Sequence, residues 1–334
     1  MALAAVSTMS VISQANAAEL VIGTFGGSFA KATEACHVSL FTKATGEKVL
    51  LTFGSSVQHA AKIRATKGNP EVDLAYMDIS IAKQVKAEGL LEKIDFASLK
   101  EYGDVAKQAF DVDGTYVNFM TAATVIAYNP KVITTPPSSW SDLFDKKYAG
   151  RMALGDITGT SGLHFLLAAN KMNGGDLNNM DPGFKALAEL KANVEVFYTQ
   201  ADQIVSLFER GEVVIAPWYP DRIGSAADKG VPVAVAYPKE GAVGIQPTLV
   251  IPKGSKNKDL AMRFMEAVLS AEGQACFAEK KYAGPVNTKV TLSDKVSKIV
   301  PFGDNYQNLW YPDSDVVAKK RPEWTKRWQR QVNR

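Results

Sequence analysis

The stretch GEVVIAPWYPDRIGS at Gly211–Ser225 contains an apolar strand, an aromatic pair and a proline that begins the next segment. Three further pieces follow it: VPVAVAYPKEG at Val231–Gly241, LVIPKGSKNKDLAMRFMEAVLS at Leu249–Ser270 and YAGPVNT at Tyr282–Thr288. The piece Leu249–Ser270 joins an apolar strand to a helix whose apolar residues recur at helical spacing. That stripe predicts a core face rather than a ligand surface. Strands followed by helices indicate an α/β protein.

Strands and helices also alternate at the start of the chain. Apolar strands are predicted at Leu20–Thr24, Lys48–Phe53 and Val72–Met77, each followed by a turn and a helix. A second series of strands and helices runs from residue 151 to 227. Such repeated units predict mainly parallel sheets with helices on their faces.

Two segments are expected to carry the chain between two lobes, because 334 residues are enough for two domains. Tyr116–Tyr128 is rich in β-branched and aromatic residues and stops at Asn129-Pro130, so it is predicted as the first crossover. The chain is expected to return between Pro238 and Pro247. The predicted organisation is a signal peptide at 1–17, a first lobe of 18–120 with 242–290, and a second lobe of 121–241 with 291–334.

Composition and the first residues bear on location. With 46% hydrophobic and 22% charged residues, the chain has the composition of a globular protein, and no apolar run is long enough to span a bilayer. Met1–Ala17 is small, apolar and uncharged, and ends in Ala15-Asn16-Ala17, an A-x-A cleavage signal. No basic residue precedes Glu19, so the leader is expected to lack its own beginning. We predict export to the periplasm; a disordered N-terminal tail is the alternative.

The C-terminal segment is strongly basic. Its charged residues are Lys319, Lys320, Arg321, Lys326, Arg327, Arg330 and Arg334, opposed by Glu323. A basic segment can indicate nucleic acid or anionic lipid as a partner. Trp324, Trp328 and Val332, however, recur every four residues and so share one helical face. We therefore predict a helix docked on its own protein and no nucleic-acid partner.

These pieces, together with PSSWSDLFDKKYAGRMALGD at Pro137–Asp156 and TGEKVLLTFGSS at Thr45–Ser56, resemble bacterial extracellular solute-binding proteins of ABC importers. The resemblance is to the polyamine-like (spermidine/putrescine-binding) group and follows the family's order over nearly the whole chain. It implies the type II periplasmic-binding-protein fold: an α/β, two-lobed molecule, each lobe a mainly parallel sheet flanked by helices, joined by two crossover strands. It further implies a monomer that delivers a solute to an ABC permease in the inner membrane, without enzymatic activity or a cofactor.

The same resemblance bears on the two cysteines, Cys36 and Cys276. The family layout would place both in the first lobe, where an oxidising compartment would let them form a disulfide. Two buried free thiols are an equally open alternative. No CxxC motif or metal-ligand spacing accompanies them.

Candidate ligand contacts lie in the turns at the carboxyl ends of the predicted strands, where open α/β sheets bind their ligands. Phe25 and Trp218 are expected to sandwich an apolar part of the solute, and the resemblance favours exposure of Trp218. Hydroxyls and N–H groups at helix starts suit an anionic group. The residues expected to hold it are Ser55, Ser56, Thr160, Ser161 and Gly162. Helix capping, and a core position for Trp218, are the alternatives.

Other polar groups in these turns suit the remainder of a solute. Asp78, Asp221 or Gln246 would meet an amine or hydroxyls, and Tyr219 adds a second aromatic side chain beside Trp218. The alternative for Asp78 is that it only caps its helix.

The resemblance also restricts the charge of the solute. Polyamine-binding members carry acidic residues in the second-lobe turn and before the LxIP strand, where this chain has Thr158–Thr160 and Pro247. An ammonium without a paired carboxylate is costly to desolvate, so a di- or triamine is disfavoured. We predict a solute with an anionic group and an amine, such as an amino-acid derivative, an opine-like conjugate or an aminophosphonate. A polyamine ligand, or a ligand-sensing subunit for a membrane receptor, is the alternative.

Motifs for catalysis and metal binding are missing from the sequence. It has no G-x-S-x-G elbow, Walker loop, H-E-x-x-H or G-x-G-x-x-G. Ser161 and His164 share a helix face but lack the orienting acid of a hydrolase. The histidines His37, His59 and His164 are expected to be packed or surface side chains rather than ligands, and the paired tyrosines of related ferric-iron importers do not occur. We therefore predict capture rather than catalysis, and no metal site.

Overall fold

The first of two sheets is built mainly from the start of the chain. In the computed structural model, which describes residues 19–332, it has five strands. These are β1 (Glu19–Thr24), β2 (Lys48–Phe53), β3 (Leu74–Asp78), β4 (Tyr116–Asn118) and β11 (Pro247–Val250). They lie in the order β2-β1-β3-β11-β4, so the last strand of the chain is inserted between two early ones.

The second sheet has six strands. These are β5 (Ala122–Tyr128), β6 (Met152–Gly155), β7 (Val194–Tyr198), β8 (Ile215–Trp218), β9 (Ala234–Ala236) and β10 (Val243–Ile245). Five of them lie in the order β10-β5-β8-β6-β7, and β9 also pairs with β5. Each sheet, with the helices packed on it, forms one lobe.

Helices flank both sheets. The first lobe has α1 (Ser28–Ala32), α2 (Ser39–Thr45), α3 (Ser56–Ala65), α4 (Ile79–Ala87), α9 (Lys258–Leu269) and α10 (Ala271–Lys281), with a π-helical segment at Thr33–Val38. The second lobe has α5 (Thr160–Met172), α6 (Asp181–Leu190), α7 (Val205–Arg210) and α8 (Pro220–Ala227). The chain closes with α11 (Asp294–Ile299), α12 (Asp304–Gln307) and α13 (Ser314–Gln331). Short 3₁₀ turns lie at Phe96–Ser98, Lys107–Ala109, Trp140–Phe144, Lys146–Tyr148, Lys191–Asn193 and Ala201–Ile204. Within residues 19–332, none of these helices is both long and apolar enough to cross a membrane.

Each sheet contains both parallel and antiparallel pairs. Strand β1 runs parallel to β2 and β3, and β6 runs parallel to β7 and β8. Strand β11 is antiparallel to β3 and β4, and β5 is antiparallel to β8, β9 and β10. The prediction of mainly parallel sheets is therefore wrong in this detail, because the strands next to the crossovers enter their sheets against the direction of their neighbours.

The chain crosses between the lobes at the predicted segments. It leaves the first sheet after Asn118 and enters the second at Ala122, and it returns between Ile245 and Pro247 through Gln246. The two-lobed α/β fold class is confirmed, whereas the residue bounds given for the lobes stay a prediction. The predicted signal peptide, 1–17, lies outside the described residues.

The C-terminal helix packs on the second lobe, as the sequence predicts. Trp324, Trp328 and Val332 are buried in the core of that lobe. The Arg327 guanidinium lies 4.2 Å from the centre of the Phe184 ring on α6. The apolar face of α13 is therefore covered by its own protein, and its basic residues surround that contact.

A disulfide joins Cys36, in the π-helical segment, to Cys276 in α10. The two Cα atoms are 5.6 Å apart, within the range that a disulfide spans. The predicted bridge is confirmed, and it ties the first helical segment of the first lobe to the part of that lobe that the chain adds after its return.

Candidate ligand-binding site

A cavity of about 770 Å³ lies where the two lobes meet. The first lobe contributes Asp78 and residues from the first two turns of α4. The second lobe contributes Thr160, Leu163, His164 and Leu167 of α5. The crossover contributes residues 244–246, and the segment Tyr311–Asp313 lies beside them. Ser314, Asp315, Val317, Ala318 and Arg321 of α13 complete the lining. A volume of this size is ordinary for a small-molecule site.

Asp78 is the acidic residue that the first lobe presents to this cavity. It is the last residue of β3 and is exposed. Ser56 is buried and its hydroxyl donates to Asp78 Oδ2 at 2.8 Å, while the Asp78 N–H donates back to Ser56 Oγ at 3.0 Å. Within residues 19–332, the Asp78 carboxylate makes no capping bond to α4, so the interpretation of Asp78 as only a helix cap is wrong. Ser56 orients the carboxylate instead of meeting a ligand.

Ser55 has a structural role. Its hydroxyl accepts from the Gln58 N–H at 3.3 Å, and the Gln58 side chain accepts from the Ser55 N–H at 2.8 Å. This reciprocal capping box starts α3. The alternative of helix capping therefore holds for Ser55.

Thr160, at the first position of α5, is exposed and lines the cavity. The residues after it are used within the protein. The Ser161 hydroxyl lies 2.8 Å from the Tyr198 hydroxyl, and the Ser161 N–H donates to Tyr219 Oη at 2.8 Å. A Cβ at Gly162 would clash with the carbonyl oxygens of residues 155 and 156, so this glycine allows close packing of α5 on β6. The expectation that Ser161 and Gly162 contact the ligand is corrected accordingly.

Arg321 is the cation next to this helix start. Its Nη2 donates to the carbonyl oxygens of Ile157 and Thr158 at 3.2 and 2.7 Å. Burial lowers the pKa of the guanidinium, as expected for a cation withdrawn from water, and a group with such a high reference pKa stays charged. The sequence indicated Arg321 only as one of several basic residues of a docked helix.

His164 lies near Arg321 and also lines the cavity. Its Nδ1 is 2.9 Å from the Thr124 hydroxyl. Burial, with a smaller contribution from Arg321, lowers the pKa of His164 to about 3, so the imidazole is neutral at physiological pH. All three histidines are buried.

The remaining charges of the cavity are balanced locally. Lys83 donates to the Ser314 hydroxyl at 2.7 Å and pairs with Asp315 at 3.3 Å. Asp313 accepts from the N–H groups of Asp315 and Val316 at 2.9 and 3.2 Å and so caps α13. Asp78 and Arg321 face the cavity from opposite lobes, as a carboxylate and a cation that no ion pair with Lys83, Asp313 or Asp315 engages among the described contacts.

Gln246 lies at the crossover, is half-buried and also lines the cavity. Its carbonyl oxygen accepts from the Ile79 N–H at 3.2 Å, which fixes the start of α4 to the crossover. Of the predicted contacts, the structure brings Asp78, Thr160 and Gln246 together.

Trp218 does not lie in this cavity. The side chain is fully buried and stacks on Phe208, with ring centres 6.1 Å apart and planes inclined by 11°. As the last residue of β8, it points into the core of the second lobe between that sheet and α7. The expectation of an exposed, ligand-stacking Trp218 is wrong, and the core alternative is correct.

Three other predicted contacts also lie away from the cavity. The half-buried Phe25 meets Phe29 edge to face, with ring centres 5.0 Å apart. Tyr219 receives the bond from Ser161, and burial raises the pKa of its hydroxyl. Asp221 lies 3.5 Å from the guanidinium of Arg222.

Within residues 19–332, no cluster of His, Cys, Asp or Glu is arranged to hold a metal ion.

Comparison with known proteins agrees with this architecture. A family model described as bacterial extracellular solute-binding protein matches residues 38–301. The spermidine/putrescine-binding periplasmic protein of Escherichia coli is 28% identical over 301 residues, which cover 85% of this chain and 81% of the relative. A gamma-aminobutyric acid-binding protein of Pseudomonas aeruginosa is 26% identical over 302 residues, covering 86% and 83%. The crystal structure of an ABC transporter from Clostridium perfringens superposes with a TM-score of 0.81 at 26% identity, covering 94% of this chain and 99% of the other.

Proposed function

The chain belongs to the family of bacterial extracellular solute-binding proteins, and from that premise we propose that it captures a small solute bearing both an amine and an anionic group. It is the solute-binding component of an ABC transporter. It works in the periplasm as a monomer, after removal of the leader Met1–Ala17, and presents the solute to a permease in the inner membrane. Binding is the whole of its chemistry, without a covalent step or a cofactor.

One observation carries the ligand assignment: the two lobes offer opposite charges to the same cavity. Asp78, oriented by Ser56, receives the amine. Arg321 and the Thr160 hydroxyl, at the start of α5, receive the carboxylate or phosphonate. The helix start adds to this attraction because its N–H groups carry partial positive charge. Gln246, between the two walls, meets the remaining polar atoms of the solute.

The same arrangement disfavours a diamine. The second ammonium of such a solute would face Arg321, where like charges repel. Asp156, the carboxylate nearest in sequence to the second-lobe turn, accepts from the Thr158 N–H and hydroxyl at 2.9 and 2.6 Å. It therefore holds its own turn together. The Pseudomonas relative is named for gamma-aminobutyric acid, which has an amine and a carboxylate, whereas the Escherichia relative is named for polyamines.

A matched pair of solutes tests the proposal. 4-Aminobutyrate and putrescine share a four-carbon chain with an amine at one end and differ only in the other terminal group. Calorimetric titration of the mature protein should give a binding isotherm for 4-aminobutyrate, or for 3-aminopropylphosphonate, and none for putrescine at the same concentration. Saturable binding of putrescine together with no binding of any acid-bearing amine would overturn the proposal.

A further inference from the structure

A second cavity, of about 260 Å³, lies beside the first in the second lobe. The two cavities share four lining residues: Leu167, Tyr311, Pro312 and Asp313. The Tyr311 ring lies against Gly244, where a Cβ would clash with it, so this shared wall rests on the crossover strand. A solute in the first cavity therefore has the second cavity directly at its side.

The walls of the second cavity are held by specific contacts. The loop between α5 and α6 forms one wall, and the buried Asn170 donates through Nδ2 to the carbonyl oxygens of Asp176 and Asn179 at 2.9 and 3.0 Å. Lys320 of α13 donates to the Leu177 carbonyl oxygen at 2.9 Å. The loop is thus tied to two helices, and these contacts fix this wall of the cavity.

The opposite wall is fixed by backbone pairing. The Trp310 N–H donates to the Ala242 carbonyl oxygen at 2.9 Å, and the Gly244 N–H donates to the Trp310 carbonyl oxygen at 2.8 Å. The indole ring of Trp310 lines the cavity, and Lys171 lies over it, with Nζ 4.5 Å from the ring centre. This wall therefore holds an aromatic ring in a set position.

The chemistry of this cavity differs from that of the first. Its side chains include Leu167, Leu177, Trp310 and Pro312, which are apolar, whereas Lys171 and Asp176 are exposed at its rim. A pocket of this composition gains most from burying apolar surface. A solute of the size of 4-aminobutyrate would leave it unused.

We propose that the second cavity binds an apolar arm, aryl or short alkyl, of the same solute whose amine and anionic group occupy the first. The inference rests on the proposed function and narrows it: the preferred solute is an amino acid that carries an apolar substituent. The arm packs against Leu177 and the Trp310 ring, beside the charged head between Asp78 and Arg321.

Calorimetric titration of three compounds tests the inference: 4-aminobutyrate, its N-benzyl derivative and 3-phenyl-4-aminobutyrate. At least one of the two arm-bearing compounds should bind about tenfold to a hundredfold more tightly than 4-aminobutyrate, as burial of a phenyl ring predicts. Leu177→Trp, which fills the cavity, and Leu177→Asn, which makes it polar at similar volume, should abolish that gain and leave 4-aminobutyrate affinity unchanged. Val132→Trp and Val132→Asn, at an exposed apolar position of the second lobe, are the matched controls.

The outcomes separate the two proposals. Equal affinity for all three compounds overturns the proposal that the second cavity binds an apolar arm, while the proposed function stands. A gain in affinity that survives both Leu177 substitutions in folded protein has the same consequence. Absence of binding by every acid-bearing amine overturns both. Should Leu177→Trp fail to fold, Leu177→Asn alone decides.

Discussion

Arg321 is the residue on which the proposed preference for an anionic group depends most. Arg321→Gln should weaken binding of 4-aminobutyrate by about 1.5 to 3 kcal/mol, the range for loss of a charged hydrogen-bond partner. Arg330→Gln, on an exposed turn of the same helix, is the matched control and should leave the affinity unchanged. Calorimetry on the three proteins measures the effect, and equal affinities would show that Arg321 only stabilises the turn at Ile157 and Thr158.

Trp218 gives a prediction opposite to the one that its place in the sequence favours. Since the ring is fully buried against Phe208, Trp218→Ala should lower the free energy of unfolding by about 3 to 5 kcal/mol. The folded fraction should bind the solute with unchanged affinity, because the ring lies outside the cavity. Urea unfolding and calorimetry distinguish the two roles. A loss of affinity at unchanged stability would return Trp218 to the binding site.

His164 predicts a dependence of stability on pH. Its pKa is about 3 in the folded protein and near 6.5 in the unfolded chain. Between these two pH values the imidazole is protonated in the unfolded chain and neutral in the folded protein. The contribution of His164 to the free energy of unfolding is therefore fully present above the unfolded pKa. It falls by about 1.4 kcal/mol per pH unit as the pH drops below that value. His37, with a pKa lowered to about 3, acts in the same direction.

The contribution of His164 can be isolated by substitution. His164→Gln should reduce the slope of unfolding free energy against pH by about one proton between about pH 4 and about pH 6. Urea unfolding at several pH values measures the slope in both proteins. Identical slopes in the wild type and the variant would mean that His164 is protonated in the folded protein over this pH range.

At the residue scale, the sequence was enough to place Asp78, Thr160 and Gln246 in one cavity, while their contact with a ligand stays a prediction. Asp78, Thr160 and Gln246 follow predicted strands or lie at the crossover, and such positions meet at one edge. Sequence reasoning failed for Trp218 because residue order does not show on which side of a strand's end a side chain points. It missed Arg321 because the residue that its guanidinium contacts, Thr158, is 163 positions away in the chain.

At the scale of elements, the disulfide links two helical segments of the first lobe that are far apart in the sequence. Replacing Cys36 and Cys276 by serine should destabilise the protein by about 2 to 5 kcal/mol, because the bridge closes a long loop of the unfolded chain. Solute affinity should not change, since the bridge joins helices that do not line the cavity. Melting with and without a reductant measures the effect: the wild type should lose stability, and the double variant should not respond. If the reductant also lowered the melting temperature of the double variant, the loss of stability in the wild type could not be assigned to the Cys36–Cys276 disulfide.

Most elements were predictable because their patterns are local. The strand Lys48–Phe53 has the predicted bounds, and the helix Lys258–Leu269 buries the predicted apolar stripe. The C-terminal helix was recognisable from the spacing of its tryptophans. The direction of a strand relative to its neighbours is a property of the whole sheet, so the antiparallel placement of β5 and β11 could not be read from either strand alone.

At the scale of the molecule, two crossovers join the two lobes around the cavity that Asp78 and Arg321 line, and the segment between α10 and α13 runs from the first lobe to the second as a third connection. Few backbone dihedrals lie between the sheets at residues 119–121 and at Gln246, so movement of the lobes is expected to concentrate there. Asp78 belongs to one lobe and Arg321 to the other. A solute that contacts both charges therefore favours the closed arrangement, which links its recognition to the shape shown to a permease.

A crystal structure of the protein with 4-aminobutyrate bound tests this account most directly. The account predicts the solute between the lobes, with its amine within hydrogen-bonding distance of the Asp78 carboxylate and its carboxylate against Arg321 and Thr160. Solute density outside this cavity, or an amine placed against Arg321 with the acid against Asp78, would contradict it.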